Sequence, residues 1–432
     1  MKPLQLIIHC FVVLLAYQIH AQDVKLSSYE FGEGLNFTTG EGHELKLRSY
    51  FQPYFETKQY TEGDLNSANR FRMRRARFRI DGETSNKRFS YRFQFDLTGN
   101  GEFEEQEGVF LLDALIRYEL TKSVRLSFGQ RATYTDNREL FMSSSALQLV
   151  ERSRVTSAFA SIREFGLFID GRFKTGRGSY IKPYFVLTNG DGGNVFNRDF
   201  GGLKIGGRLD YLPFGTFINF GQFRQADVMR ELTPKLVVGA NFSHNNGMSS
   251  RRGRVSGSIL YLNDNDEESL PDYTKYGIDF LFKYRGFSAL GEFVKTTASV
   301  PEDITQRVRN DGSVSTAFLV DGIQDVENYV KGRMMLGEGY NLQMGYIFKS
   351  GYSVDARYTH LKADDNSFLN NATFYNRPNY YTIGFSKYLA RNYGAKIQTS
   401  LTYVDGNGIN DNNGNLNEGN EWLARVMLTF SL

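Results

Sequence analysis

This 432-residue sequence predicts a transmembrane antiparallel β-barrel of about sixteen strands, on three observations. Apolar and polar residues alternate with period two in run after run from Leu45 to the last residue. Aromatics make up 15% of the chain, with 36 Phe and 26 Tyr against 8 Pro, a strand-forming composition. No apolar run past residue 21 approaches the ~20 residues of a membrane helix, whereas a barrel strand needs only ~9–11 and places every second one in water. A mean hydropathy of -0.42 is therefore compatible with membrane insertion.

In chain order, the first residues, MKPLQLIIHCFVVLLAYQIHAQ, combine Lys2, an apolar run from Leu4 to Ala16 and the small Ala21. This is the pattern of a secretory signal peptide over residues 1–21, the run being too short to span a bilayer. Cys10, the one cysteine, lies inside it, so the exported chain would have no disulfide. Residues 22–43 are expected to form a short periplasmic N-terminal segment and residues 44–432 the barrel, with no second domain.

The strands justify themselves by face. In KRFSYRFQFDLTG, Phe89, Tyr91, Phe93, Phe95 and Leu97 oppose Arg88, Ser90, Arg92, Gln94 and Asp96. In GGLKIGGRLDYLP, Leu203, Ile205, Leu209 and Tyr211 oppose Lys204, Arg208 and Asp210. In PKLVVGANFSHNNG, Leu236, Val238, Ala240 and Phe242 oppose Lys235, Asn241 and Ser243. The closing run EWLARVMLTFSL sets Trp422, Ala424, Val426, Leu428, Phe430 and Leu432 against Arg425, Thr429 and Ser431. Phe89, Phe93, Leu203, Val238 and Phe430 are accordingly expected outside the barrel. Short joints such as SNKR and YRGF alternate with long polar stretches such as NRDFGG, NDNDEESLPDYTK and Val300 to Gly332. Outer-membrane barrels keep short turns in the periplasm and long loops outside, which orients the chain. A soluble β-sandwich would also alternate, but it gives no reason for apolar residues at every second position up to the terminal residue.

The stretch RFRMRRARFRIDGE, Arg70 to Glu83, concentrates arginine. An arginine facing lipid at mid-membrane costs ~2–4 kcal/mol, so Arg75, Arg77 and Arg79 must face the lumen and Ala76, Phe78 and Ile80 the lipid. Phe71 and Met73 fall in phase with Arg75, which predicts a β-bulge or the membrane rim near Arg74 and Arg75. Arginine stays charged at any relevant pH and presents a donor fork that fits phosphate or carboxylate. A row of such groups supplies the several weak sites that conduction needs, so passive diffusion of small hydrophilic solutes with a preference for anions is expected. Asp81, Asp96, Asp113, Glu119 and Asp210 are also phased to the lumen; pairing with them would leave a weakly selective general pore. Residues 131–163 are long, interrupt the alternation and are polar from Thr133 to Ser145, so they are expected to lie partly inside the lumen. With 51 Lys+Arg against 48 Asp+Glu, no net field points to nucleic acid as a partner.

RRARFRIDGE, FSYRFQFD, LLDALIRYEL with Asp113 and Ala114, LSFGQ, LVERSRVTSAFA and REFGLFIDG follow one another in the order and rough spacing of a known family. With LTNGDG, GRLDYLPFG and LVVGANFSHNNG, they resemble the phosphate-selective porin O and P family, most specifically from Arg74 to Gly171. The resemblance implies sixteen-stranded outer-membrane barrels, trimeric, in a bilayer with lipopolysaccharide, passing phosphate or polyphosphate through an arginine- and lysine-lined channel. It places the family's basic pair on Arg74 and Arg75, its third-strand acid on Asp96 and its constriction loop on Arg131 to Arg163. The family's Gly-Gln-aromatic-Lys-x-Pro run reads GQRATYTD here, with Ala132 in the lysine place and Tyr134 in the proline place; Arg131 and Arg138 are the candidates to compensate. The candidate pore-lining and anion-binding set is thus Arg74, Arg75, Arg77, Arg79, Arg92, Asp96 and Arg131.

Two other classes are weighed against a channel: a barrel hydrolase and a non-conducting structural or adhesin-like barrel. FSHNNGMSSRR, Phe242 to Arg252, is similar to the His-x-Ser-Asn-Gly run of outer-membrane phospholipases, but Asn246 holds the serine position and leaves only Ser249 to offer a hydroxyl. The Asx-rich DGNGINDNNGNLNEGNE and NDNDEE offer oxygen ligands, yet Leu416 stands where a calcium loop built on Asp411, Asn413 and Asn415 needs glycine. Three scattered histidines past residue 21 suggest no metal site, and no cofactor or catalysis is expected.

Overall fold

The computed structural model describes residues 24–61, 67–98, 109–193, 199–309, 311–365, 376–390, 392–407, 409–410 and 416–432. The signal-peptide stretch and the Asp411, Asn413 and Asn415 positions lie outside these residues.

Sixteen strands make the wall. The first eight are β1 Glu44–Tyr60, β2 Ala68–Glu83, β3 Phe89–Asp96, β4 Phe110–Glu119, β5 Val124–Arg131, β6 Glu164–Gly171, β7 Tyr180–Thr188 and β8 Lys204–Leu212. The rest are β9 Lys235–Asn245, β10 Asp272–Tyr284, β11 Phe287–Ser299, β12 Gly337–Ile347, β13 Tyr352–Ala363, β14 Asn379–Tyr388, β15 Ala395–Asp405 and β16 Glu421–Ser431. Each pairs antiparallel with the next, and β16 closes on β1 from Glu421↔Tyr60 to Ser431↔Tyr50, so no edge is left for lipid to face. An N-terminal hairpin, Lys25–Glu30 with Gly34–Thr38, extends the wall by pairing Thr38 with Glu44 and Leu35 with Leu47.

The faces divide as the alternation requires. Phe89, Phe93, Leu203, Val238 and Phe430 are all exposed on the outside. At the outer end of β12 to β16, Tyr340, Tyr358, Tyr381, Tyr403 and Trp422 follow one another at centroid distances of 5.8, 4.9, 6.4 and 4.9 Å, the aromatic girdle of a membrane interface. The expected bulge is present: Gln52 pairs with Arg75 and Pro53 with Met73, so Arg74 is the extra residue. It switches the phase, leaving Phe71 (84% exposed) and Met73 outside above it and both Arg74 and Arg75 inside. Substituting Ile383, exposed in the middle of β14, with Arg should cost ~2–4 kcal/mol in reversible unfolding from a bilayer.

Two features depart from the expectation of solvated external loops and uniformly short periplasmic joints. Outside, the loops 246–271 and 300–336 fold on one another around Met248, Ile259, Tyr261, Ile304, Phe318, Val330 and Met334, with a three-stranded sheet and the helix Val326–Gly332. Inside, where β10 and β11 are joined by Arg285 and Gly286 alone, β8 and β9 are joined by residues 213–234.

Candidate pore lining and constriction

After Arg131 the chain leaves the wall and rejoins it at Glu164; residues 132–163 cross the lumen in between. Their landing places are where the inward face of the wall is apolar. Val155, Ala158 and Phe159 of the helix Arg154–Phe159, N-capped by Ser153, pack on Val294, Leu361, Tyr380, Val404 and Leu423. Met142 packs among Leu212, Val237, Leu281 and Leu290, and Val150 against Tyr54 and Met427. Polar contacts fix the register. Arg138, fully buried, bridges Asp210 and Asp279 at 2.8 Å each, and Lys275 donates to Asp136 at 2.5 Å. Glu292 accepts from the Asn137 side chain (2.9 Å) and the Glu139 amide (2.7 Å), and Gln148 donates to Asp355 (2.5 Å). A buried charge costs several kcal/mol unless paired, so each pair resists displacement of the loop.

The arginines of β2 divide into two roles. Arg74 (2.6 Å) and Arg75 (3.0 Å) both hold Glu151 of the loop, and Arg75, 0% exposed, also donates to Gln52 (3.1 Å). Burial alone would raise the Glu151 carboxyl, but the two guanidiniums outweigh it and hold the group well below the usual carboxylate range. Arg77 donates to Asp96 on β3 (2.8 Å), to the Tyr50 hydroxyl (3.1 Å) and to Ser144 Oγ of the loop (3.0 Å). Arg79, Arg92 and Arg48 converge on one carboxylate, Asp81, at 2.7, 2.8 and 2.6 Å. Arg131 lies over the Tyr134 ring (4.5 Å), donates to its hydroxyl and sits 3.6 Å from Asp170.

Between the loop and the periplasmic end lies a cavity of about 630 Å³. Of the sequence candidates, Arg77, Arg79, Arg92 and Arg131 line it; Arg74 and Arg75 sit behind the loop as its fastening, and Asp96 orients Arg77. Sequence reasoning missed Lys46, Arg48, Arg117, Arg125, Arg152, Arg163 and Arg224 in this lining. The first four carried a signal, since each shares the lumen phase of its strand. The other three sit on connections, where no alternation applies. Among the described residues, eleven basic side chains face the cavity against three acids, Glu33, Asp113 and Asp170. Arg117 has no carboxylate within ion-pair distance among the described residues. Arg138, the other candidate for compensation, is spent on Asp210 and Asp279.

On the outer side, Arg252 and Arg254 donate to the Ser157 carbonyl at 3.2 and 2.7 Å, so the loop 246–258 leans on the constriction loop. It is fastened by buried Asp191, which accepts from Ser249 N (2.9 Å), Ser249 Oγ (2.7 Å) and Ser250 Oγ (2.5 Å). Burial pushes the Asp191 carboxyl up to about 6, against the lowering effect of the Ser250 and Ser249 bonds. A folded value above the unfolded one means the docked loop binds the proton more tightly. Docking is therefore at full strength below about pH 4 and weakens as pH rises through 6. Amide exchange at residues 249–257 should slow between pH 7 and 4 after correction for intrinsic rates, and Asp191→Asn should abolish that slope. The same contacts set Ser249 and His244 on different partners: the Ser249 hydroxyl is given to Asp191, while His244 faces Thr274 (3.0 Å) and Asp272 (3.8 Å).

A closed sixteen-strand barrel with a lipid-facing apolar exterior, a polar lumen and a loop folded into it defines an outer-membrane porin. Residues 46–212 match the model of a family described as phosphate-selective porin O and P, the family the sequence motifs resemble. Among solved structures, the chain is similar to Salmonella typhi OmpF in complex with daunomycin (13% identity, 91% of this chain and 98% of that one, TM-score 0.52). It is similar also to the outer membrane channel DcaP of Acinetobacter baumannii (13%, 92% and 99%, 0.50) and to Pseudomonas putida OprB (8%, 90% and 94%, 0.52). At such identities the likeness is one of fold. No curated protein matches the sequence.

Proposed function

We propose that this porin passes small hydrophilic solutes by passive diffusion and prefers anions, phosphate and polyphosphate among them. The observation that carries the reading is the cavity lining, eleven basic side chains against three acidic ones below the constriction loop. Several of these cations share acids: Arg48, Arg79 and Arg92 divide Asp81 among them, and Arg92 and Arg163 divide Asp113. The surplus acts in a narrow space where water screens poorly, so a passing anion meets several attractive groups and no single tight site. Arg77, Arg79, Arg92 and Arg131 are the sequence candidates that would meet the ion; Arg74, Arg75 and Asp96 would serve by placing the loop and Arg77.

Phosphate is favoured over chloride in this reading because a guanidinium offers two parallel donors to an oxyanion. In a planar bilayer, adding phosphate should depress the chloride current through the parent protein. An Arg79→Lys, Arg92→Lys variant should keep anion preference but need more phosphate for the same block. Equal block in both would remove the fork from the account. The family resemblance extends the proposal to a homotrimer in a lipopolysaccharide-containing membrane, which light scattering of the purified protein in detergent would test.

A further inference from the structure

Residues 213–234 break the rule of short periplasmic turns, and they turn into the barrel instead of away from it. Asn219 and Phe220 take left-handed backbone, φ 48° and 56°, which reverses the chain, and Gln222, Gln225, Ala226 and Asp227 are buried. The seat is specific. Lys283 donates to the Gly221 (3.0 Å) and Ala226 (2.9 Å) carbonyls, the Tyr393 hydroxyl donates to Ala226 as well, and Asp227 accepts from Gly286 N (2.7 Å).

From this seat Gln225 reaches the constriction loop. Its amide donates to the Ala146 carbonyl (3.3 Å), its Oε1 accepts from Gln148 N (2.7 Å) and its Nε2 donates to Glu139 (2.9 Å). Ala226 packs with Ala146 of that loop beside Ile347, Tyr388 and Tyr393. At the other end, Phe220, Phe223 and Arg224 border the cavity, and Arg224 lies 3.6 Å from Glu33 at the tip of the N-terminal hairpin.

We infer that residues 213–234 form a second constriction element: Gln225 is a positioning residue that props the constriction loop from below, and Phe223, together with Arg224 facing Glu33, narrows the periplasmic exit of the cavity. Size selection is thereby set at two places in series. The inference rests on the channel reading.

The test is single-channel recording of the full protein with neutral polyethylene glycols of graded size added to one side at a time. Phe223→Ala with Arg224→Ala leaves the backbone seat on Lys283 and Tyr393 intact. It should raise conductance about twofold and admit larger polymers from the periplasmic side only, since resistances in series add and each constriction filters polymers arriving from its own side. Gln225→Ala should increase open-channel noise and polymer access from both sides. If the double variant fails to insert, Arg224→Ala alone carries the same one-sided expectation at smaller size. Variants that insert with parental conductance and parental polymer access from both sides would overturn the second constriction. A parent protein that inserts and passes no current would overturn the channel reading instead.

Discussion

A Glu151→Gln variant should insert as a barrel yet lose its parental conductance level, with larger and noisier steps. The carboxylate is the common partner of Arg74 and Arg75, and Arg75 is fully buried. Removing one member of a buried pair leaves its partner uncompensated at a cost of roughly 3–5 kcal/mol, enough to detach that end of the loop. The rest of the loop stays held by Arg138 on Asp210 and Asp279 and by Lys275 on Asp136, so the barrel itself survives. Deleting residues 140–149, the stretch that roofs the cavity, should raise conductance further, because it removes the obstruction and not only one tether. Barrels of either kind with parental conductance would show that this loop does not limit the current.

The second large effect concerns charge. Inverting Arg75 or Arg77 confounds selectivity with folding, because Glu151 and Asp96 would be left facing a like charge. Lys46, Arg48 and Arg117 disturb the wall less, although Arg48→Glu does set a like charge beside Asp81. Lys46 is 4.0 Å from its nearest acid, Asp81 keeps Arg79 and Arg92 when Arg48 is lost, and Arg117 has no acid partner among the described residues. Replacing all three with Glu converts three attractive groups to repulsive ones. The lining then holds eight basic and six acidic side chains, where the parent has eleven and three. Anion preference should fall sharply. A triple variant that inserts and stays as anion-preferring as the parent would mean that the surplus lies elsewhere than in this cavity.

What the amino-acid sequence revealed follows from how each feature is encoded. Strand faces are written locally, in side-chain parity, which is why Phe89, Val238 and Phe430 fall outside and why the clash of Phe71 and Met73 with Arg75 announced the bulge at Arg74. The inward loop announced itself by losing that parity. Its docking surface did not, although Val294, Leu361, Val404 and Leu423 are apolar at lumen positions and so marked where something had to cover them. The division of the arginines into fasteners and lining was not legible, because it depends on Glu151, a residue on a connection whose path alternation does not describe. The same holds for residues 213–234: Pro213 and Pro234 bracket the segment, but nothing local says that the intervening chain turns inward.

The central claim is that a surplus of basic groups below the loop governs which ions pass, and the reversal potential of the unmodified porin in a KCl gradient across a planar bilayer tests it most directly. The expected potential has the sign that marks chloride as the more permeant ion, and it should shrink as salt is raised and the lining is screened. A potential of zero, or one of the opposite sign, in a preparation that conducts would contradict the account.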